Sequence, residues 1–337
     1  MRKLHRMPVV LLLLTVLILA ACVAPAAPAP AADSSSPAAA AYPSETINIM
    51  APAAPGGGWD QTARAMQTAL AQSSGQNVQV YNVAGAGGTV GLAQFVNEAQ
   101  GDPHQLMVGG LVMVGAIQTN ASPVTLDQVT PLASLTSEAE AIAVVAASPY
   151  QTLADLIDAF KADPTAISWG GGSAGGSDHI LVGLIAKAAG VEPAQINYIA
   201  HSGGGEATAA ILSGAVSAGV SGVSEFRDQV EAGAMRILAV SSDEPVEGVE
   251  APTIKESGID VSFYNWRAVF AAGDLSPEQR DSVVAAIQAM HDSDEWQAAL
   301  TSNGWSDFLK TGDEFATFLQ DERMRIEGIL RDIGLVQ

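Results

Sequence analysis

Polar and apolar side chains alternate over residues 46–52, the glycine turn PGGG follows, and Ala63, Met66, Ala69 and Leu70 then recur at helical spacing. A period of two giving way to a period of 3.6 predicts a strand, a tight turn and a helix over 60–70. The succession returns as a strand over 77–83, the turn AGAGGTVG and a helix over 91–99 that places Leu92, Phe95 and Val96 on one face. Residues 106–109 read as a third strand. Further on, the apolar run 141–147 predicts a strand, and Ser148 or Thr152 would cap a helix ending at Phe160. Residues 167–169, the turn GGGSAGG and a helix over 179–189 form the next unit. Residues 196–200, SGGG and a helix over 206–213 form another, with strands at 218–221 and 235–240 after it. Strand, glycine turn and helix repeated in this way define an α/β protein with crossover helices. The last two stretches, 276–293 and 313–333, are amphipathic helices, the first opened by Ser276, Pro277 and Glu278.

The N-terminus follows a different pattern. Arg2, Lys3 and Arg6 precede an apolar run over 9–19 and then small residues up to Cys22. This reads as a secretory signal peptide over 1–21, with an apolar core too short for a comfortable membrane span. Leu19, Ala20, Ala21 and Cys22 also resemble the bacterial lipobox, in which cleavage before the cysteine leaves its sulfur to carry a diacylglyceryl group. Cys22 is the only cysteine, which excludes a disulfide within the chain. Residues 22–44, mostly Ala, Pro and Ser, have too little bulk to pack a core and read as an extended tether. The remainder is of a size at which one core divides into two, with the crossing placed near residue 147.

Charge narrows the partners. Without the signal peptide the chain keeps 12 of its 15 basic residues against all 36 acidic ones, a net charge of −24. Nucleic acid is therefore not an expected partner, and any anionic ligand must be attracted by local donors. Glycine-rich turns before helices supply such donors: glycine lets a ligand approach the backbone, and the first amides of a helix lack internal partners. Four turns qualify, at 56–58, 85–91, 170–176 and 203–205.

Rival chemistries fit less well. The second turn offers Gly85 and Gly87 but Val90 where a dinucleotide fingerprint needs its third glycine, and no Lys followed by Ser or Thr completes a phosphate loop. No cofactor is expected. Gly171, Ser173 and Gly175 match the spacing of a serine-hydrolase elbow, with Asp178 or Asp228 and His201 or His291 following in order, although five glycines in this stretch produce that match by composition alone. The five histidines are isolated, so no metal site is expected. The acidic pair Glu138 and Glu140 reads as a solvated turn. Trp59, Trp169 and Trp266 adjoin the suspected site, whereas Trp296 and Trp305 read as packing residues.

The segments APAAPGGGWDQTARAM, NVAGAGGTVG, SWGGGSAGGSDHI, HSGGGEA and NWRAVFAAG resemble, in order and spacing, the substrate-binding proteins of tripartite tricarboxylate transporters. The GGGWD and NWR variants resemble the citrate-type branch. The resemblance implies a two-domain periplasmic-binding fold, type II-like, with a hinge and an interdomain cleft. Residues 45–145 with 263–337 would form domain 1, and 146–262 domain 2. It implies a monomeric, extracytoplasmic binding protein that passes a small carboxylate to the small and large membrane subunits of a transporter; a ligand sensor acting on a receptor is the alternative within binding proteins. Carried across, the first loop supplies Pro55, Gly57, Gly58, Trp59 and Asp60, and the second Gly85, Ala86, Gly87, Gly88, Thr89 and Val90. The opposing wall is Gly172, Ser173, Gly175, Gly176, Ser177 and Asp178 with Ser202, Gly203 and Gly204, and Trp266 and Arg267 close the site. Two departures stand out. AAGDLSPEQ replaces a proline-rich family segment, and Glu206 sets an acid beside the anion site unless it caps its own helix.

Overall fold

The computed structural model describes residues 42–337, so the signal peptide, Cys22 and the tether as far as residue 41 lie outside the described residues. The end of the expected tether is anchored: the Tyr42 hydroxyl donates to the Pro103 carbonyl at 3.1 Å and the Ser44 amide to His104 Nε2 at 3.2 Å.

The first half of the fold is built on β1 (Ile47–Ala51), which pairs in parallel with β2 (Val78–Asn82) and β3 (Gln105–Gly110). Their crossovers carry α1 (Gly58–Ser74) and α2 (Thr89–Glu98), each buried along the face that the apolar spacing marks. α1 ends where Gly75 adopts φ +68 and its amide returns to the Ala71 carbonyl, a left-handed cap that glycine takes without strain. β3 runs directly into α3 (Leu111–Thr119), a helix apolar all round and therefore without a legible period.

β4 (Thr130–Val145) joins the two halves. Its first part pairs antiparallel with β9 (Tyr264–Ala271) and β10 (Ser306–Thr311), and its second part with β7 (Ala218–Gly222) and β8 (Met235–Val240). β9 in turn pairs with β3. In the second half, β5 (Ser168–Gly171) pairs in parallel with β6 (Asn197–Ala200) and β7. Around these lie α4 (Leu153–Ala162), α5 (Ser177–Ala189), α6 (Gly204–Leu212) and α7 (Val223–Glu231). Thr152, not Ser148, caps α4, in a reciprocal box with Asp155. The closing helices α8 (Pro277–His291) and α9 (Asp294–Asn303) pack on α1, and α10 (Gly312–Asp332) packs on α3, β4 and β10.

The chain passes between the halves inside β4 and again before β9, and one buried hydroxyl ties the two passages together. Ser241 Oγ accepts from the Glu140 amide at 2.9 Å and donates to the Phe263 carbonyl, while the Ser241 and Phe263 backbones bond in the reverse sense.

One expectation is overturned here. Glu138 and Glu140 do not lie in a solvated turn; they sit inside β4 at 3% and 0% exposure. The stretch 130–140 hides its strand character because Ser134, Thr136, Glu138 and Glu140 are buried rather than solvated.

Candidate functional site

All four glycine turns converge on one cavity of ≈ 50 Å³ between the halves. Gly57, Gly58 and Trp59 line it from the start of α1, and Gly87 and Gly88 from the start of α2. Facing them are Gly172, Ser173, Ser177 and Asp178 before and in α5, and Ser202, Gly203 and Gly204 at α6. The walls touch: the Ala54 amide donates to the Ser202 carbonyl at 3.2 Å, and a β-carbon built on Gly87 would lie 3.3 Å from Ser173.

α1, α2, α5 and α6 have glycine at the N-cap and no side-chain cap, as do α3 and α7, whose Val112 and Glu225 also line the cavity; α4, α8 and α9 are capped by Thr152, Ser276 and Ser293, and α10, away from the cavity, has no side-chain cap. Four helix starts thus keep free amides at one place, with the partial positive charge of each helix behind them. Such an arrangement of donors suits an anion held through the backbone.

Several expected contacts serve the loops instead of the cavity. Asp60 Oδ2 accepts from the Gly56 amide and Arg64 Nε, both at 2.9 Å, and Oδ1 from Asn82 Nδ2 at 3.0 Å. Burial pushes this carboxyl up, but the bonds to Arg64, Gly56 and Asn82 prevail and hold it below the usual range. Asp60 therefore pins the first loop to β2. Pro55 is exposed at that loop's tip, and Gly85, Ala86, Thr89, Val90, Gly175 and Gly176 shape their turns without lining the cavity. Glu206 folds back so that Oε2 accepts from the Ser202 amide at 2.9 Å, and it does not line the cavity.

On β9 the alternation of the strand divides the expected pair. Arg267 faces the cavity, as does Asn265, which sequence reasoning did not single out. Trp266 points the other way: its Nε1 donates to Glu322 at 2.7 Å and its ring meets Phe315 and Phe318 edge-on, so it is a packing residue. Trp169 is likewise core, edge-on to Phe160.

Sequence reading also missed Pro52, Ala53, Val112, Ser221 and Glu225. Glu225 carries the largest consequence. Arg267 Nη2 bonds Glu138 and lies 3.6 Å from Glu225, all three side chains being at most 6% exposed. Burial, offset by Arg267, pushes the Glu225 carboxyl up to about 7. Burial also raises Glu140 and Asp178, the first further through the nearby carboxylates. Glu138 and Glu225 thus share one guanidinium, with Glu140 near enough to act on it through its charge.

The hydrolase spacing does not bring a histidine to Ser173 among the described residues. His179 Nδ1 accepts from the Gly175 amide at 3.2 Å, its ring stacks on Tyr198 with centroids 4.0 Å apart, and burial pushes it down to about 4. His201 Nδ1 lies 3.1 Å from the Gly171 carbonyl. Among the described residues no histidine bonds the Ser173 hydroxyl, the first requirement for a serine nucleophile.

A cavity between two α/β halves, walled by glycine-capped helix starts, is the architecture of a solute-binding protein. The chain belongs to the tripartite tricarboxylate transporter receptor family: the model described as TctC, tripartite tricarboxylate transporter family receptor, matches residues 62–335. It is similar to protein BugT of Bordetella pertussis, 27% identical over 308 residues that cover 88% of this chain and 92% of BugT. Its fold is that of the periplasmic binding protein BugD, with a TM-score of 0.80 at 20% identity over 88% of this chain and 99% of BugD. MatC from Rhodopseudomonas palustris, solved with bound malate, aligns with a TM-score of 0.74 at 21% identity, covering 86% of this chain and all 100% of MatC. The two-domain periplasmic-binding fold implied by the loop resemblance is the fold of this chain.

Proposed function

We propose that the protein captures a small carboxylate outside the cytoplasmic membrane and delivers it to the membrane subunits of a tripartite tricarboxylate transporter. The convergence of four uncapped helix N-termini on one interdomain cavity carries this reading. Malate in MatC shows that a binding protein of this fold holds such a ligand. The resemblance of GGGWD and NWR nominates citrate as the first ligand to try. Residues 45–145 with 263–337 are taken as one moving domain and 146–262 as the other, with the passages through Glu140 and Ser241 as the hinge.

A thermal-shift screen of mono-, di- and tricarboxylates tests the reading, because a ligand that binds the folded state adds RT ln(1 + [L]/Kd) to stability. A rise in Tm with at least one carboxylate is the expected result; no shift with any of them, followed by no heat in calorimetry, would remove the carboxylate assignment. Attachment to the membrane is proposed through lipid on Cys22. Replacing Cys22→Ser is expected to move the protein from the detergent phase to the aqueous phase or leave it unprocessed, and continued acylation of the variant would refute the anchor.

A further inference from the structure

Two segments bind each other across the seam between the halves without reaching the cavity. α7 belongs to the second half, where it packs on β7 and β8; α9 and the residues after it belong to the first, where α9 packs on α1. Ser224, in the first turn of α7, sits between two side chains of the first half: its Oγ accepts from Trp305 Nε1 at 3.2 Å and donates to Gln61 Oε1 at 3.2 Å. One turn further on, Arg227 Nη2 donates to the Asn303 carbonyl at 3.5 Å. None of Gln61, Ser224, Arg227, Asn303 and Trp305 lines the cavity.

The second contact is matched in charge. Asn303 is the last residue of α9, whose first turn carries Asp294 and Glu295 and whose last turn has no basic side chain. The negative end of that helix is therefore met from the other half, by Arg227. Gly304 leaves room for it: φ +66 ends the helix, and a β-carbon here would stand 2.8 Å from Arg227 Nη2. Trp305 carries the contact inward. It is 5% exposed, and the Arg267 guanidinium carbon lies 5.6 Å from its ring centroid. One indole thus meets the seam through its N–H and the arginine of the cavity wall through its ring. These bonds join protein groups alone, so they favour the closed arrangement whatever the cavity holds. The population of that arrangement in turn scales the affinity of any ligand that requires it.

We propose that Ser224, Arg227 and Trp305 form a latch outside the cavity that holds the two halves closed, with Trp305 as a positioning residue that links the latch to Arg267. The inference takes the halves to be the moving bodies named above and adds what fastens them.

Spin labels on Asn97→Cys in the first half and Ala194→Cys in the second, both exposed positions, report the separation of the halves by pulsed electron paramagnetic resonance; Cys22→Ser in the same full chain leaves only these two thiols. No ligand enters the measurement, so its outcome is independent of the carboxylate assignment. The parent is expected to show a dominant short distance. Ser224→Ala removes the hydroxyl, Trp305→Phe keeps a ring beside Arg267 but loses the N–H, and Arg227→Met keeps the stem but loses the charge. Each is expected to raise the ratio of longer to shorter distances by about threefold or more, the weight of one hydrogen bond. The double variant Ser224→Ala/Trp305→Phe is expected to open no further than Ser224→Ala alone, because both changes remove the same bond. Side chains that only pack would lower stability without parting the halves. A parent that is already open, or variants that keep the parent's distribution, would overturn the latch, as would additive opening in the double variant. The variants lie on two separate contacts, so the test stands even if one of them does not fold.

Discussion

The Arg267 guanidinium lies so close over Gly58 that a β-carbon on Gly58 would stand 2.1 Å from Nη2. The first helical residue of α1 therefore has to be glycine for the arginine on the cavity wall to reach Glu138 and Glu225. The absence of a side chain here is a requirement of the ion cluster more than of the turn.

Gly58→Ala tests that relationship. The methyl displaces the guanidinium, and the buried carboxylates lose part of their partner. Ligand affinity is expected to fall tenfold or more, and stability by about 2 kcal/mol or more, given that separating a buried ion pair costs roughly 3–5 kcal/mol in full. Calorimetric titration and urea unfolding measure the two effects; wild-type values for both would show that Arg267 repositions freely.

Gly87 adopts φ +60, and its β-carbon would approach Ala116 Cβ to 2.4 Å while facing Ser173 across the cleft. Left-handed backbone costs an L-residue roughly 1–2 kcal/mol. Gly87→Ala is expected to keep the circular dichroism spectrum of the wild type but to weaken ligand binding at least tenfold, since the second loop can no longer close on the opposite wall. Unchanged affinity would mean that this wall does not close on the ligand.

Glu225 gives the protein a specific pH dependence. The folded protein holds this proton up to about pH 7, whereas the ordinary glutamate releases it near 4.5. Between those values the folded state binds more protons than the unfolded one, so this group makes stability fall as pH rises. At 1.36 kcal/mol per pH unit between 4.5 and about 7, the loss is at most about 3.4 kcal/mol. Glu225→Gln is expected to flatten the stability profile between pH 5 and 7, as read from urea midpoints. An equally steep profile in the variant would place the effect on Glu140 and Asp178 instead.

Ser241→Ala removes the hydroxyl that joins the two passages between the halves. The Glu140 amide and one bond to the Phe263 carbonyl lose their partner in a fully buried place. A stability loss of about 1–3 kcal/mol is expected by urea unfolding. A loss below 0.5 kcal/mol, by ~1 kcal/mol standards for a buried bond, would mean that water or backbone replaces the hydroxyl.

Much of the fold was legible because its signals are local. Apolar spacing within ten residues or so placed α1, α2, α4, α5, α8 and α10, and a glycine turn before a helix announces its own free amides wherever the chain later puts it. α3 and the first part of β4 were not legible, the one because it is apolar on every side, the other because Thr136, Glu138 and Glu140 project into a polar interior that only folding creates.

By itself, then, the sequence determined the strand-turn-helix units and the glycine at each critical helix start. The tertiary structure alone decided what stands at the inner end of the cavity. Glu138 and Arg267 are 129 residues apart and meet because β4 pairs with β9, and that register turns Asn265 and Arg267 inward and Trp266 outward. Glu225 joins them from α7 across the cleft. The physical reason is one of range: hydrogen bonding within a turn is fixed by neighbours in the chain, whereas the field around a buried charge is fixed by whichever groups packing brings within a few ångströms of it.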